Sequence, residues 1–346
     1  MRNPVMTSLE PKVAGAPTME SPAPGCPVLP GARLHPRPEF GRRFIIFVDT
    51  EEEFDWSADF SRASQSTRAI AALPAATARF NGMGVHPVYL CDYPVVTNAD
   101  SAPIIGELAR SGACDVGAHL HPWVTPPHRE AVNIPNSFTG NLPEDLQFEK
   151  LATLTAALSD LLGAPPTVFR AGRYGLGSST MAHLRALGYR MDVSVRSLFD
   201  YSNEEGPDYS SCPLWPWRSS EGIVQMPLSS GWTGHLRRFP GLYRSAGLRG
   251  PLARSAMLTR VPLTPEGTPV EHAIEAIRAM VSDGLDIFSL SFHSPTLAMG
   301  HTPYVQSQAD LDRFWGWWDA VFEAFDTLGV TPVRYAELER ELVAAP

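Results

Sequence analysis

The chain has 346 residues, 44% of them hydrophobic and 19% charged, enough apolar material for one large domain or two ordinary ones, which excludes disorder along its whole length. Lys and Arg number 28 against 37 Asp and Glu, and the net charge of -9 excludes broad electrostatic binding to nucleic acid or anionic lipid. Four widely spaced cysteines, Cys26, Cys91, Cys114 and Cys212, fit neither a zinc ribbon nor a disulfide-dense scaffold and read as reduced thiols.

Residues 1 to 40 hold nine of the 33 prolines and almost no aromatic or β-branched residue, the composition of a disordered, unpacked tail. Met1 to Lys12 lacks the apolar core of a secretory signal, and no stretch approaches the roughly 18 apolar residues of a membrane span, so a cytoplasmic location is the default. From residue 41 to 346 the texture is that of one domain. Strand-length apolar runs at 44–48, 85–90, 114–118, 167–169, 190–195, 223–226, 286–292 and 331–334 alternate with helical patterns at 67–81, 103–110, 143–162, 178–187, 270–281 and 308–328. Gly163 and Gly188 follow two of those helices, where a left-handed cap is cheapest for glycine. Such alternation predicts a mostly parallel α/β sheet, open or closed into a barrel. The stretch from about 200 to 265, rich in Pro, Ser, Gly and Trp, breaks the rhythm and reads as a long insertion after the fifth strand, decorating one face.

Polar residues of unusual type fall at the carboxyl ends of these strands, the rim on which parallel α/β folds build their sites. Asp49 and Glu51 follow the run 44–48, and in extended chain they point the same way, a pair of carboxylates that calls for a cation. The plain alternative is a solvated acidic loop, since Glu52, Glu53 and Asp55 adjoin. His119 and His121 repeat the two-residue spacing after 114–118, offering two imidazoles to one divalent metal, with zinc the first expectation; His128 is a weaker candidate. Arg170 ends 167–169 ahead of a glycine-containing turn whose N–H groups suit an oxyanion, and His293 closes 286–292 as a candidate general acid.

In this order, the segments resemble the five motifs of the NodB-homology polysaccharide deacetylases, carbohydrate esterase family four. The phrases Asp-Thr-Glu-Glu-Glu-Phe-Asp-Trp from Asp49, Gly-Ala-His-Leu-His-Pro-Trp from Gly117 and Asn-Ser-Phe-Thr-Gly-Asn-Leu-Pro from Asn136 are most similar to its WalW-like branch, associated with lipopolysaccharide or cell-surface glycan assembly. The resemblance implies a distorted barrel of seven or eight β/α units and a metal-dependent deacetylase of N- or O-acetylated sugars. By position it makes Asp49 the base, Glu51 and His119 metal ligands, Arg170 the arginine that tunes the base and His293 the acid. Asp192 falls where the fourth motif carries an acidic residue, a place near the substrate. Two departures stand out. Trp123 occupies the place of the family's second histidine, so His121 becomes the third ligand to test and Trp123 a substrate-side residue. The third motif is one residue longer than usual, so either Arg173 or Tyr174 supplies the oxyanion N–H.

Within the insertion, Arg237, Arg238, Arg244, Arg249, Arg254 and Arg260 interleave with apolar residues such as Leu248, a pattern suited to the phosphate of a nucleotide- or lipid-linked sugar and to peripheral contact with such a substrate. The plain alternative pairs these arginines with acids on the barrel. Trp215, Trp217 and Trp232 are candidate sugar-stacking faces. Rival readings of the whole chain are a hydrolase of small cyclic amides and a non-catalytic glycan-binding barrel. Oligomeric state has no signature in the sequence.

Overall fold

Strands buried on both faces build a curled nine-stranded sheet, with a separate two-stranded sheet beside it. The structure, a computed structural model, describes residues 26–54, 58–244, 250–252 and 254–345. Residues 1–25 of the expected tail, Asp55 of the acidic run, and Leu248 and Arg249 of the insertion lie outside the described residues. The strands are β1 (Arg42–Thr50), β2 (Val88–Cys91), β3 (Asp115–Leu120), β4 (Val168–Ala171), β5 (Met191–Asp192), β6 (Trp217–Arg218), β7 (Val224–Gln225), β8 (Ser230–Thr233), β9 (Thr259–Pro262), β10 (Ile287–His293) and β11 (Val330–Pro332). Their spatial order is β10-β1-β2-β3-β4-β5-β7-β6, with β11 beside the first residues of β1. Pairings from β10 through β7 are parallel and only the edge strand β6 is antiparallel. The sheet curls until the chain after β7 meets β10, where Ser229 N donates to Ser289 O at 3.1 Å and Ser289 N to Ser229 Oγ at 2.9 Å. This is the distorted β/α barrel expected from the sequence.

Each predicted helix is present within a few residues, and Gly163 and Gly188 take φ of 76° and 87° as left-handed caps. Helices Tyr93–Thr97 and Tyr335–Ala344 were not predicted. The strand expected at 190–195 pairs only over Met191–Asp192, although Val193 and Val195 stay buried. Period-two alternation sorts side chains into two cores. Ile46, Val48, Phe288, Leu290 and Phe292 face the surrounding helices, while Ile45, Phe47, Leu90, Val168, Met191 and Ile287 face the barrel interior. The inward set is the one that Asp49, His119, Arg170 and His293 continue at the rim.

Three expectations are corrected. The stretch 200–265 is not one insertion: β7 is an interior strand of the sheet and β6 its edge, because Ile223, Val224 and Met226 are apolar enough to be buried there. β8 and β9 pair with each other outside that sheet, with β8 beside the helix Val270–Ser282. The unpacked-tail reading does not describe residues 26–40. Val28, Leu34 and Phe40 are buried, Leu34 and Phe40 in the interior core beside Leu338 and Leu342, and Arg37 Nη2 meets Glu341 Oε2 at 2.8 Å. Finally, Cys26 and Cys212 form a disulfide, while Cys91 and Cys114 are free and buried.

These contacts make the strap over residues 26–40 part of the fold. Leu34→Ala should destabilise the protein by about 2–5 kcal/mol, as for other buried leucines. Denaturant titration checks this, and a change below about 0.5 kcal/mol, the surface-substitution range, would return the strap to the status of a tail.

Candidate active site

Register brings the rim residues level. Asp49 on β1 pairs with His293 on β10, and His119 on β3 pairs with Arg170 on β4. Glu51 and His121 lie one residue beyond their strands and keep the inward parity. All six are at the mouth of a cavity of about 330 Å³, which Asp49, Glu51, His119, His121 and His293 line and which Arg170 underlies.

Arg170 is fully buried, donates from Nη1 to Asp49 Oδ1 at 2.5 Å and from Nε to Val193 O at 3.0 Å. Burial, the largest single influence on Asp49, would raise its carboxyl, but Arg170 with His119 and His293 outweighs it and holds the group below the ordinary carboxylate range. Asp49 Oδ2 is left facing His293 Nε2 at 3.7 Å. His293 in turn is held by Glu266, which accepts from the His293 backbone N–H at 3.0 Å and meets Nδ1 at 2.6 Å. Burial pulls that imidazole down, but Glu266 and Asp49 together raise it above its usual value. The surroundings thus favour the charged form of both groups, which face each other across β1 and β10.

Beside them, Glu51 Oε2 lies 3.4 Å from His119 Nε2 and 3.5 Å from His121 Nε2, the three ligand atoms of a candidate metal site. His121 Nδ1 meets Glu52 Oε2 at 2.8 Å, a contact that leaves the lone pair on Nε2 when Nδ1 carries the proton. Burial lowers both imidazoles, His121 to about 4, so both present lone pairs to a carboxylate. Glu51 Oε1 and His119 Nδ1 are buried without a hydrogen-bond partner. Acceptors converging at this spacing fit ligands about 2.0–2.2 Å from one cation. Glu51 is pushed well up by burial and by Glu52, Asp49, Asp92 and Glu266, a crowd of carboxylates that a cation would relieve. A second grouping, Glu52, Asp92 and His121, is less suited to an ion. Asp92 already accepts from Val95 N and Glu52 N at 2.9 and 2.8 Å, and burial with Glu52 pushes its carboxyl well up.

The acidic run is not a solvated loop. Glu51 faces the imidazoles, Glu52 is sealed behind them, and Glu53 accepts from Ser66 Oγ at 2.7 Å and Ala69 N at 2.5 Å. Trp123 stacks on His121 at 4.2 Å, donates from Nε1 to Glu52 Oε1 at 2.8 Å, and forms part of the cavity wall. The turn after β4 passes so close to His121 that a Cβ on Gly172 would lie 2.3 Å from its Cδ2, so only glycine fits. Arg173 and Tyr174 follow with φ of 51° and 60°, a costly conformation for non-glycine residues, and Tyr174 lines the cavity. The segment from Asn136 buttresses this turn: Gly140 N donates to Gly175 O at 2.8 Å and Arg173 Nη1 to Ser137 Oγ at 2.5 Å.

Other expected site residues lie elsewhere. Asp192 has the opposite parity to the inward Met191 and Val193, is fully buried, and accepts from Ser194 Oγ at 2.5 Å, so it does not line the cavity. Arg237 pairs with Asp283 at 2.8 Å and Arg238 is exposed; neither lines the cavity, and Arg237 fits the barrel-pairing alternative. Trp215, Trp217 and Trp232 are also absent from its lining, Trp217 being fully buried, and His128 is exposed. The sequence reading missed Glu266, whose partner is 27 residues away, and Glu52, which it left inside the acidic run.

No family model matches the chain, and no curated protein matches it in sequence. Among solved structures, one from Mycobacterium smegmatis, assigned as a polysaccharide deacetylase, is 14% identical with a TM-score of 0.52 over 92% of this chain and 95% of that one. The 4-alpha-glucanotransferase of Thermococcus litoralis gives 13% and 0.47, over 86% and 40% of the two chains. A Bordetella bronchiseptica protein, assigned as a polysaccharide deacetylase involved in O-antigen biosynthesis, gives 13% and 0.40, over 83% and 93%. The first likeness establishes the fold as the deacetylase-type α/β barrel; at such identity it establishes nothing further, and the other two carry no argument.

The ligand geometry predicts about one divalent ion per chain by elemental analysis. Glu51→Gln and His121→Ala should each lose most of it. Glu52→Gln keeps all three ligand atoms but removes the carboxylate partner of His121 Nδ1, and should weaken affinity about 10- to 100-fold in a chelator competition. Unchanged affinity would mean that stacking on Trp123 alone orients the ring.

Proposed function

We propose that the protein is a metal-dependent hydrolase that removes an acetyl group from an N- or O-acetylated sugar of a cell-surface glycan or lipopolysaccharide precursor. The observation that carries this reading is the pair Asp49 and His293, opposed across β1 and β10 with their proton affinities driven apart, next to three convergent ligand atoms. Glu51, His119 and His121 would hold the ion, zinc being the choice that suits one carboxylate and two imidazoles. When bound, it supplies Lewis-acid polarisation and acidifies water.

The chain's own groups then divide the work. Asp49 Oδ2, the oxygen not engaged by Arg170, accepts the proton of the attacking water. The turn at Arg173 and Tyr174 offers backbone N–H groups to the oxyanion. His293 Nε2 gives its proton to the departing amine or alcohol, and acetate is released. Glu266 keeps that imidazole loaded and aimed. The arginines at 237 and 238 have no part in this reading, nor does lipid contact, and among the described residues no helix is long and apolar enough to cross a membrane.

Asp49→Asn should retain the ion but cut acetate release about 100- to 10,000-fold, the usual cost of a lost general base. Activity within a few-fold of wild type would reduce Asp49 to a support for its neighbours. The pH dependence gives an independent check. His293 acts protonated and its value is raised, so activity should persist above its ordinary value of 6.5 and fall as pH rises through the raised one. Glu266→Gln removes the main raising influence, so the alkaline limb of the kcat/KM profile should move to lower pH. A limb that stays in place would assign it to a group other than His293.

A further inference from the structure

The charged groups that line the cavity come with counterparts, with one exception. Asp49 has Arg170, Glu51 faces the two imidazoles, Glu266 has His293, and Arg173 has Glu204. Arg196 lines the same cavity, and among the described residues no carboxylate lies within ion-pair distance of it. Its guanidinium is held instead by aromatic groups: Nη1 donates to Tyr201 Oη at 2.9 Å, and Cζ lies 4.0 Å from the centroid of the Phe199 ring and 5.1 Å from that of Tyr174. Its Nε is buried without a hydrogen-bond partner. The guanidinium of Arg260 also lies over the Phe199 ring, 3.6 Å from its centroid.

Arg196 is partly buried, and with no carboxylate beside it among the described residues its charge is answered only in part by the aromatic faces. It is immobilised by ring stacking at the wall of the cavity that holds Asp49 and His293, with donors to spare. We propose that the acetylated substrate is itself anionic, carrying a carboxylate or a phosphate, and that Arg196 binds that group. The inference rests on the reading of the site as a sugar deacetylase and names its substrate class. The guanidinium fork matches either anion in bidentate fashion. A cavity of about 330 Å³ is near the lower end of small-molecule sites, so the anion and the acetyl group belong to the same sugar or to adjacent ones.

The test is calorimetric titration of wild type, Arg196→Gln and Arg196→Lys with three probes: N-acetylglucosamine, its 6-phosphate, and the corresponding 6-carboxylate. One charged probe should bind wild type about 10- to 100-fold more tightly than the neutral parent, the range of a charge-assisted pair. The arm that shows the preference identifies phosphate or carboxylate. Arg196→Gln should abolish it, and Arg196→Lys should keep part of it, because the charge stays and the fork is lost. Thermal melts of both variants separate a lost contact from a lost fold. Equal or absent binding of all three probes by wild type, or a preference that survives in Arg196→Gln, overturns the proposal. Acetate release at equal kcat/KM from neutral and charged probes also overturns it while leaving the deacetylase reading intact. A charged preference without acetate release from any probe supports the anion site and removes the deacetylase reading.

Discussion

A carboxylate sealed from water keeps its charge only where the surroundings supply the opposite one. For Asp49 that supply comes from Arg170, and the contact constrains the whole sheet. Arg170 is on β4, three strands from β1, a separation of about 14 Å if the sheet were flat. The 2.5 Å hydrogen bond between them therefore runs as a chord across the interior and exists only because the sheet is curled. The same curl carries His119 and His121 from β3 to Glu51, and the closure of Ser229 on Ser289 fixes how far it goes. Electrostatics and architecture are thus one constraint here: opening the barrel would separate the charges, and neutralising the charges would remove a reason for the barrel to close.

The rim was legible in the sequence wherever two rules coincided, that strand ends converge and that alternate residues share a face. Those rules place Asp49, Glu51, His119, His121, Arg170 and His293 without reference to any partner. They fail where a relation is made by loops. Glu266 reaches His293 from the turn after β9, and Arg196 leaves the end of β5 in irregular chain, so neither has a periodic pattern to mark it. Parity also explains the misplacement of Asp192: with only two residues paired in β5, the inward positions are Met191 and Val193, and the acid between them turns the other way. In the acidic run the sequence singled out Glu51 but not Glu52 or Glu53, since three successive glutamates look alike while each has a separate buried or half-buried partner set.

The stretch between the fifth strand and the helix at Val270 shows a related limit. Its Pro, Ser and Gly content describes the excursions accurately but hides β7, which is only two residues long and yet carries the sheet from β5 to its edge. Strands this short are fixed by what lies on either side, not by their own propensity. Likewise the prolines of residues 26–40 describe an extended segment correctly, while Val28, Leu34 and Phe40, few and scattered, are what bury it.

The strap also has a consequence for the outer boundary of the sheet. Arg33 bridges to Trp217, Leu34 N donates to Pro216 O at 2.8 Å, and a Cβ on Gly31 would lie 2.3 Å from Arg218 O, so the backbone of the strap lies directly along β6. At the opposite end, β10 is covered by Ser229 and Leu263. An unprotected strand edge is a template for pairing with another molecule, and proteins blunt such edges by covering them. Here the cover is a segment cross-linked through Cys26 to Cys212 and clamped by Arg37 on Glu341. The disulfide thus ties the strap to the loop that precedes β6, while Leu34, Phe40 and the Arg37–Glu341 pair hold the rest of it against the barrel.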